Sequence, residues 1–160
     1  MSGLVRPQNN LLRRAPVVPS MKTALLTLSA LALATVLCAQ SAVGTWKTID
    51  DETGEAKSHI EIYEKGGKLY GKIAKTLRAN APVTCETCSG ARAGKPYIGL
   101  EIITAAEPDG EAEWEGKIYD PEADSTYKLV MWIEEDEPNK LYVRGKHWTG
   151  LYRTQEWSRL

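Results

Sequence analysis

The sequence predicts an all-β fold, an eight-stranded antiparallel up-and-down barrel that follows an N-terminal signal helix. Three observations favour this fold. Apolar and polar residues alternate with a period of two after the N-terminal segment, turn residues interrupt the alternation roughly every eight to twelve positions, and most segments have one apolar face. Such spacing is typical of an antiparallel barrel or sandwich, and a β-sandwich is therefore the alternative.

The predicted strands follow one another along the chain, and each ends at turn residues. Lys65-Gly66-Gly67 is typical of a tight hairpin. Three glycines fall inside strands, on the inward side, where a strongly coiled barrel often needs them: Gly71, Gly116 and Gly145. The eight strands are predicted at Val43–Ile49, Lys57–Glu64, Lys68–Thr76, Tyr97–Thr104, Glu111–Tyr119, Thr126–Glu135, Lys140–Trp148 and Leu151–Leu160.

Residues 21–39 have the composition of a secretion signal. Lys22 supplies a positive start, Ala24–Leu37 is an uncharged apolar run, and Ala39 or Ser41 is a small residue suited to cleavage. Residues 1–20 are interpreted as an upstream extension or a misassigned start, and residues 40–160 as a single barrel domain. The sequence therefore predicts a bacterial protein that is periplasmic or secreted and soluble after cleavage.

Three alternatives concern this N-terminal segment. Arg13-Arg14 could belong to a twin-arginine export signal, but the pair lacks the usual context before the apolar run. Cys38 could carry a lipid, but Leu37 stands where lipoprotein signals have a small residue. The apolar run of about 14 residues is short for a membrane span, so no integral span is predicted in the mature form.

The predicted mature chain carries a negative charge. All 21 acidic residues follow Ala39, whereas only 16 of the 20 basic residues do, which gives a formal charge of −5. This sign argues against nucleic acid, and against an anionic membrane, as a partner.

Leu77–Pro96 is the one long stretch without strand alternation, and we expect it to be a loop that partly covers one mouth of the barrel. It contains Cys85 and Cys88, the only cysteines after the signal. In an exported protein such a pair predicts a disulfide. A redox-active pair is one alternative, but such pairs normally lie in a βαβ unit, which this chain lacks. A zinc site is the other, but the chain offers no second pair of ligands.

No catalytic or metal-binding constellation is visible in the sequence. Neither Gly-x-Ser-x-Gly nor His-Glu-x-x-His occurs, and His59 and His147 lack ligand spacing to each other or to the cysteines. The run from Asp120 resembles the start of a calcium loop, but Ser125 and Met131 stand where glycine and glutamate are required. We expect no enzymatic activity, no cofactor and no metal.

The aromatic residues favour a binding role. Five tryptophans and seven tyrosines occur without phenylalanine, and such side chains combine apolar area with a polar tip. The hypothesis is an exported protein that holds a small apolar or amphipathic ligand inside the barrel. The alternative is a cell-envelope interaction or structural module with a filled core, which would contact an envelope protein through Tyr63, Tyr70 and Tyr142. The predicted interior lining is Trp114, Tyr127, Leu129, Met131, Leu141 and Val143.

The start of the first predicted strand, Gly44-Thr45-Trp46, resembles the Gly-x-Trp signature of lipocalin-like barrels. In those barrels the tryptophan closes one end and packs against an arginine from the last strand. The resemblance implies that Gly44, Trp46 and either Arg153 or Arg159 form this closure here, and Arg153 is the residue we assign.

A longer match covers nearly all of the predicted mature chain. The runs Gly44–Gly54 and Glu61–Ile73, the Cys-x-x-Cys pair and the closing Arg-Thr-Gln-x-Trp from Arg153 resemble a bacterial exported family catalogued as domain of unknown function 2147. The resemblance implies a lipocalin-like barrel, periplasmic or secreted, without an established reaction or ligand.

Overall fold

Eight antiparallel strands form a closed barrel in which each strand pairs with the next one in the chain and the last pairs with the first. The computed structural model describes residues 41–160, so the predicted extension 1–20, the predicted signal 21–39 and Cys38 lie outside the described residues. The predicted barrel is confirmed, and the sandwich alternative is wrong. The strands are β1 (Gly44–Ile49), β2 (Ala56–Lys65), β3 (Lys68–Thr76), β4 (Glu101–Pro108), β5 (Glu113–Asp120), β6 (Ser125–Trp132), β7 (Lys140–Lys146) and β8 (Tyr152–Arg159).

The barrel has two ends of different construction, because antiparallel strands alternate in direction. The closed end carries both termini of the described chain and the turns at 66–67, 109–112 and 133–139. The open end carries the turns at 50–55, 121–124 and 147–151 and the long loop 77–100. Between residues 41 and 160 there is no helix with the length and apolar character needed to cross a membrane.

One strand differs clearly from its prediction at both ends, since β4 spans Glu101–Pro108 instead of Tyr97–Thr104. β4 begins at Glu101 instead of Tyr97, because Tyr97 and Leu100 are buried as part of the long loop. The amide of Leu100 donates to the carbonyl of Tyr97 at 3.2 Å, which closes a turn where the alternation predicts extended chain. β6 and β7 also end earlier than predicted, at Trp132 and Lys146.

The half of the barrel next to the closed end is filled with apolar side chains. Met131 and Leu141 are fully buried there, and Leu69 is nearly so. Gly116 allows β4 and β5 to approach closely, because a Cβ at this position would lie 2.7 Å from the Cα of Ala106. The packing at this end therefore depends on the absence of a side chain at Gly116 as well as on the large side chains around it.

Trp46 closes this end of the barrel. It is fully buried, and its indole Nε1 donates to the carbonyl of Ala42 at 2.8 Å. The guanidinium of Arg159 lies 4.2 Å from the centre of a Trp46 ring. Gly44 has a φ of +138°, and a Cβ there would lie 3.1 Å from Arg159 Nη1, so both the backbone conformation and the arginine favour glycine.

The assignment of Arg153 to this closure is wrong, since Arg159 occupies the position. β8 runs from the open end at Tyr152 to the closed end at Arg159, which places Arg153 at the opposite end of the barrel. Arg153 forms an ion pair with Asp51 there. Both arginines lie on the last strand, and the choice between them depends on strand direction.

Candidate functional site

A cavity of about 490 Å³ lies in the half of the barrel next to the open end. Inward-facing residues of five different strands supply its apolar floor, because the period-two pattern directs every second side chain of a strand toward the barrel interior. These floor residues are Ile60, Ile73, Ile118, Val143 and Trp157. Gly145 also lines the cavity, and a Cβ there would make only ordinary contacts, the nearest at 3.5 Å to Tyr127.

One side of the cavity mouth carries four charged side chains from four different segments. Lys57 Nζ lies 2.7 Å from Glu122 Oε2, and Arg78 Nη1 lies 3.4 Å from Asp50 Oδ2. Arg78 also pairs with Glu122. This network therefore joins the 50–55 turn, β2, the long loop and the 121–124 turn.

Both carboxylates of this network are held in the charged form. Burial alone would raise the pKa of Glu122, but hydrogen bonds from Lys57 and Arg78 lower it below its usual value. Backbone amides of Thr53 and Glu52 lower the pKa of Asp50, since both donate to its carboxylate. The mouth thus presents paired opposite charges at neutral pH.

The seam between β1 and β8 forms another side of the mouth. The two strands pair only at Trp46 with Arg159 and at Lys47 with Ser158. Nearer the open end, Asp51 bridges the seam, because its carboxylate accepts a hydrogen bond from Gln155 Nε2 at 3.0 Å and pairs with Arg153. Gln155 and Arg153 both line the cavity, so side chains rather than backbone pairing close the barrel here.

The long loop is fixed against the neighbouring turn. Cys85 and Cys88 are disulfide-bonded and buried, and the hydroxyl of Thr87 donates to the carbonyl of Pro121 at 2.7 Å. Asp124 accepts hydrogen bonds from the Ser89 amide at 3.1 Å and from the Tyr119 hydroxyl at 2.7 Å. The loop contributes Arg78, Ala81, Pro82 and Tyr97 to the cavity lining.

Tyr119 is the most perturbed tyrosine of this region. Burial and the hydrogen bond to Asp124 raise the pKa of Tyr119 to about 12. The guanidinium of Arg92 lies 4.1 Å from the centre of the Tyr119 ring. Tyr119 therefore contacts the loop through the Arg92 guanidinium, and as a neutral donor it holds Asp124, the carboxylate that accepts from Ser89 of the loop.

The six residues predicted to line the interior do not all reach the cavity. Tyr127 and Val143 line it. Leu129, Met131 and Leu141 are fully buried in the core instead, and Trp114 is partly buried against that core. Strand parity identifies the inward side of a strand, but it does not show which inward side chains are packed into the core and which border the open space.

Several cavity residues were not predicted. Trp157 and Gln155 both lie on the inward face of β8, and the alternation of that strand could have identified them. Arg78 and Tyr97 come from the irregular loop, for which parity gives no information. Within residues 41–160, no group of three or more His, Cys, Asp or Glu side chains is placed to hold a metal ion.

A closed eight-stranded up-and-down barrel, sealed at one end and hollow at the other, defines a lipocalin-like protein. Residues 44–159 match the family described as "Uncharacterized protein conserved in bacteria (DUF2147)", and the chain belongs to that family. The fold is similar to that of protein HP1028 from the human pathogen Helicobacter pylori, which is described as belonging to the lipocalin family. The TM-score is 0.65 at 17% sequence identity, over 75% of this chain and 83% of that one. No curated protein matches this chain in sequence.

Proposed function

We propose that this chain is an exported protein that binds a small amphipathic molecule in the barrel cavity. The observation that carries the proposal is the cavity of about 490 Å³ with its apolar floor and charged mouth. Ligand pockets in proteins commonly occupy about 300–1,000 Å³ and combine apolar walls with a few polar groups.

The distribution of polarity indicates how such a molecule would lie. Its apolar part would contact Ile60, Ile118 and Trp157 on the floor, where each buried CH₂ group contributes about 0.8 kcal/mol. Its polar part would remain at the mouth beside Arg78 and Gln155. Because the charges at the mouth are already paired, a zwitterionic or uncharged polar group fits better than a strongly anionic one.

The proposed location is the periplasm or the exterior of the cell. The composition of residues 21–39 supports export. The disulfide between Cys85 and Cys88 also supports it, because disulfides persist in oxidising compartments and are rare in the cytoplasm. The space inside the barrel counts against the alternative of an envelope module with a filled core.

Titration with anilinonaphthalene sulfonate, followed by displacement with lysophosphatidylcholine, tests the binding proposal. We expect saturable dye fluorescence that the lipid abolishes competitively. Gly145→Leu places a side chain into the cavity and is expected to weaken dye binding by at least about tenfold, because the leucine occupies the space that the dye needs.

Lys117→Leu is the matched control, because it adds the same side chain at an exposed position of β5 outside the cavity. It should leave dye affinity unchanged. Equal dye affinity in the Gly145→Leu and Lys117→Leu variants, both still folded, would show that the cavity is not the binding site.

A further inference from the structure

The turn between β7 and β8 presents large apolar side chains to solvent at the open end. Trp148 is 90% exposed and Leu151 is 74% exposed, and the adjoining Tyr152 is 65% exposed. By contrast, Trp46 and Trp157 are buried. A cluster of exposed apolar side chains on a soluble domain commonly marks an interaction surface.

This turn is internally bonded. The amide of His147 donates to the carbonyl of Leu151 at 2.7 Å, and the amide of Gly150 donates to the carbonyl of His147 at 3.0 Å. The His147 ring and the Thr149 hydroxyl are hydrogen-bonded at 2.8 Å. Trp148 and Leu151 are therefore held outward by a formed hairpin.

The hairpin is also basic, although the chain as a whole is acidic. Between Arg144 and Arg153 there is one further cation, Lys146, and no acidic residue. Arg153 is paired with Asp51, whereas Lys146 makes no ion pair with any residue from 41 to 160. The exposed apolar side chains thus lie on a locally cationic segment.

We propose that the β7–β8 hairpin docks on the surface of an anionic phospholipid bilayer. Trp148 and Leu151 would enter the interface between headgroups and acyl chains, and Lys146 would lie among the phosphates. Tryptophan and tyrosine favour the membrane interface, and cationic side chains are attracted to an anionic leaflet. The net negative charge of the predicted mature chain argues against an anionic membrane as a partner. Electrostatic attraction to a surface, however, falls off within about one Debye length, so it depends on the charges of the segment that lies at the surface.

Three carboxylates of the acidic turns at the same end are neutralised by ion pairs, whereas Glu52 and Glu55 make no ion pair among residues 41–160 and must face away from the bilayer. Asp50 and Glu122 are paired with Arg78, and Asp51 is paired with Arg153. The geometry therefore favours docking by the hairpin alone, with the rest of the rim tilted away from the bilayer. Docking there would place the cavity mouth beside the lipid. A role of this position in ligand uptake rests on the proposed function, whereas the docking itself does not depend on it.

Flotation with vesicles tests the docking surface. The processed protein is mixed with vesicles of phosphatidylglycerol and phosphatidylcholine, or of phosphatidylcholine alone. We expect binding to the anionic vesicles that weakens with added salt, and little binding to the neutral ones. Trp148→Ser combined with Lys146→Glu should weaken binding to the anionic vesicles by about tenfold or more.

Val43→Ser combined with Leu160→Ser is the matched control, because it removes two exposed apolar side chains at the closed end. This control should bind vesicles as the wild type does. Flotation that is equal in both double variants, or that does not depend on phosphatidylglycerol, would overturn the proposal. So would an envelope protein that binds the hairpin when anionic vesicles do not.

The dye titration separates this proposal from the ligand-binding one. Trp148 and Lys146 do not line the cavity, so their double variant should bind dye with wild-type affinity in the absence of vesicles. Loss of flotation with retained dye binding supports the docking surface. Wild-type protein that binds dye but never floats would refute docking and leave the ligand-binding proposal intact.

Discussion

The guanidinium of Arg159 covers the indole of Trp46, 4.2 Å from the centre of the ring, and so joins the last strand of the barrel to the first. The same guanidinium donates to the carbonyls of Ser41 at 2.7 Å and Val43 at 3.1 Å, which fixes the chain that enters β1. Backbone pairing between β1 and β8 is short, so this side chain contributes much of their connection at the closed end.

Replacement of Arg159 by alanine is therefore expected to destabilise the protein. The change removes a cation–π contact and the packing of the arginine stem over Trp46, which together are worth about 1–2 kcal/mol. Urea denaturation followed by circular dichroism measures the loss. Arg153→Ala, which removes an exposed ion pair across the β1–β8 seam at the open end, should cost less than about 1 kcal/mol. A larger loss for Arg153→Ala than for Arg159→Ala would contradict this role.

Two glycines in neighbouring parts of the barrel should respond differently to alanine. A Cβ at Gly116 would lie 2.7 Å from the Cα of Ala106, which requires backbone movement and is expected to cost about 1–3 kcal/mol. A Cβ at Gly145 would have its nearest contact at 3.5 Å, with Tyr127, so Gly145→Ala is expected to be close to neutral. Thermal denaturation of both variants checks the difference, and equal melting temperatures would show that the close approach at Gly116 relaxes freely.

Asp51 is predicted to control opening of the seam between β1 and β8. Its carboxylate bridges to Arg153 and Gln155 in the region where the two strands lack backbone pairing. Asp51→Ala should therefore accelerate hydrogen exchange of the β8 amides nearest the open end, and should raise the rates of dye entry and release together. Glu55→Ala is the control, since Glu55 lies on the same turn, does not line the cavity and makes no ion pair among residues 41–160. Identical exchange in both variants would mean that Asp51 does not hold the seam.

The sequence predicts the barrel well because its evidence is local. Period-two alternation and turn residues locate the eight strands, and the Gly-x-Trp start locates the closed end through Gly44 and Trp46. The cavity depends on nonlocal features. Whether Leu129 or Val143 borders it depends on how side chains from different strands pack inside the barrel, and Arg78 reaches it only through the path of an irregular loop. Alternation carries neither kind of information, which explains why four of the six predicted lining residues lie elsewhere.

Asp124 should make stability depend on acidic pH. Hydrogen bonds from the Tyr119 hydroxyl and from Ser89 lower its pKa below the usual 3.8 in the folded state. The folded chain therefore binds this proton less readily than the unfolded chain, so the stabilisation is complete above about pH 4 and is lost as pH falls through the folded-state pKa. Asp124→Asn should flatten this part of the pH–stability profile in urea denaturation. A profile as steep as that of the wild type would exclude Asp124 as its origin.

Tyr119 should produce the opposite dependence at alkaline pH. Burial and the hydrogen bond to Asp124 raise its pKa from 10.0 to about 12, so between these values the folded chain retains a proton that the unfolded chain loses. The stability associated with Tyr119 is therefore complete below pH 10 and declines as pH rises toward 12.

Tyrosinate absorbance, compared between the wild type and Tyr119→Phe, isolates the titration of Tyr119. Asp124→Asn should move that titration to lower pH without returning it to 10, because burial remains when the carboxylate is removed. A Tyr119 that titrates near 10 in the folded wild type would show that the tyrosine is hydrated and that the loop 77–100 does not seal this side of the barrel.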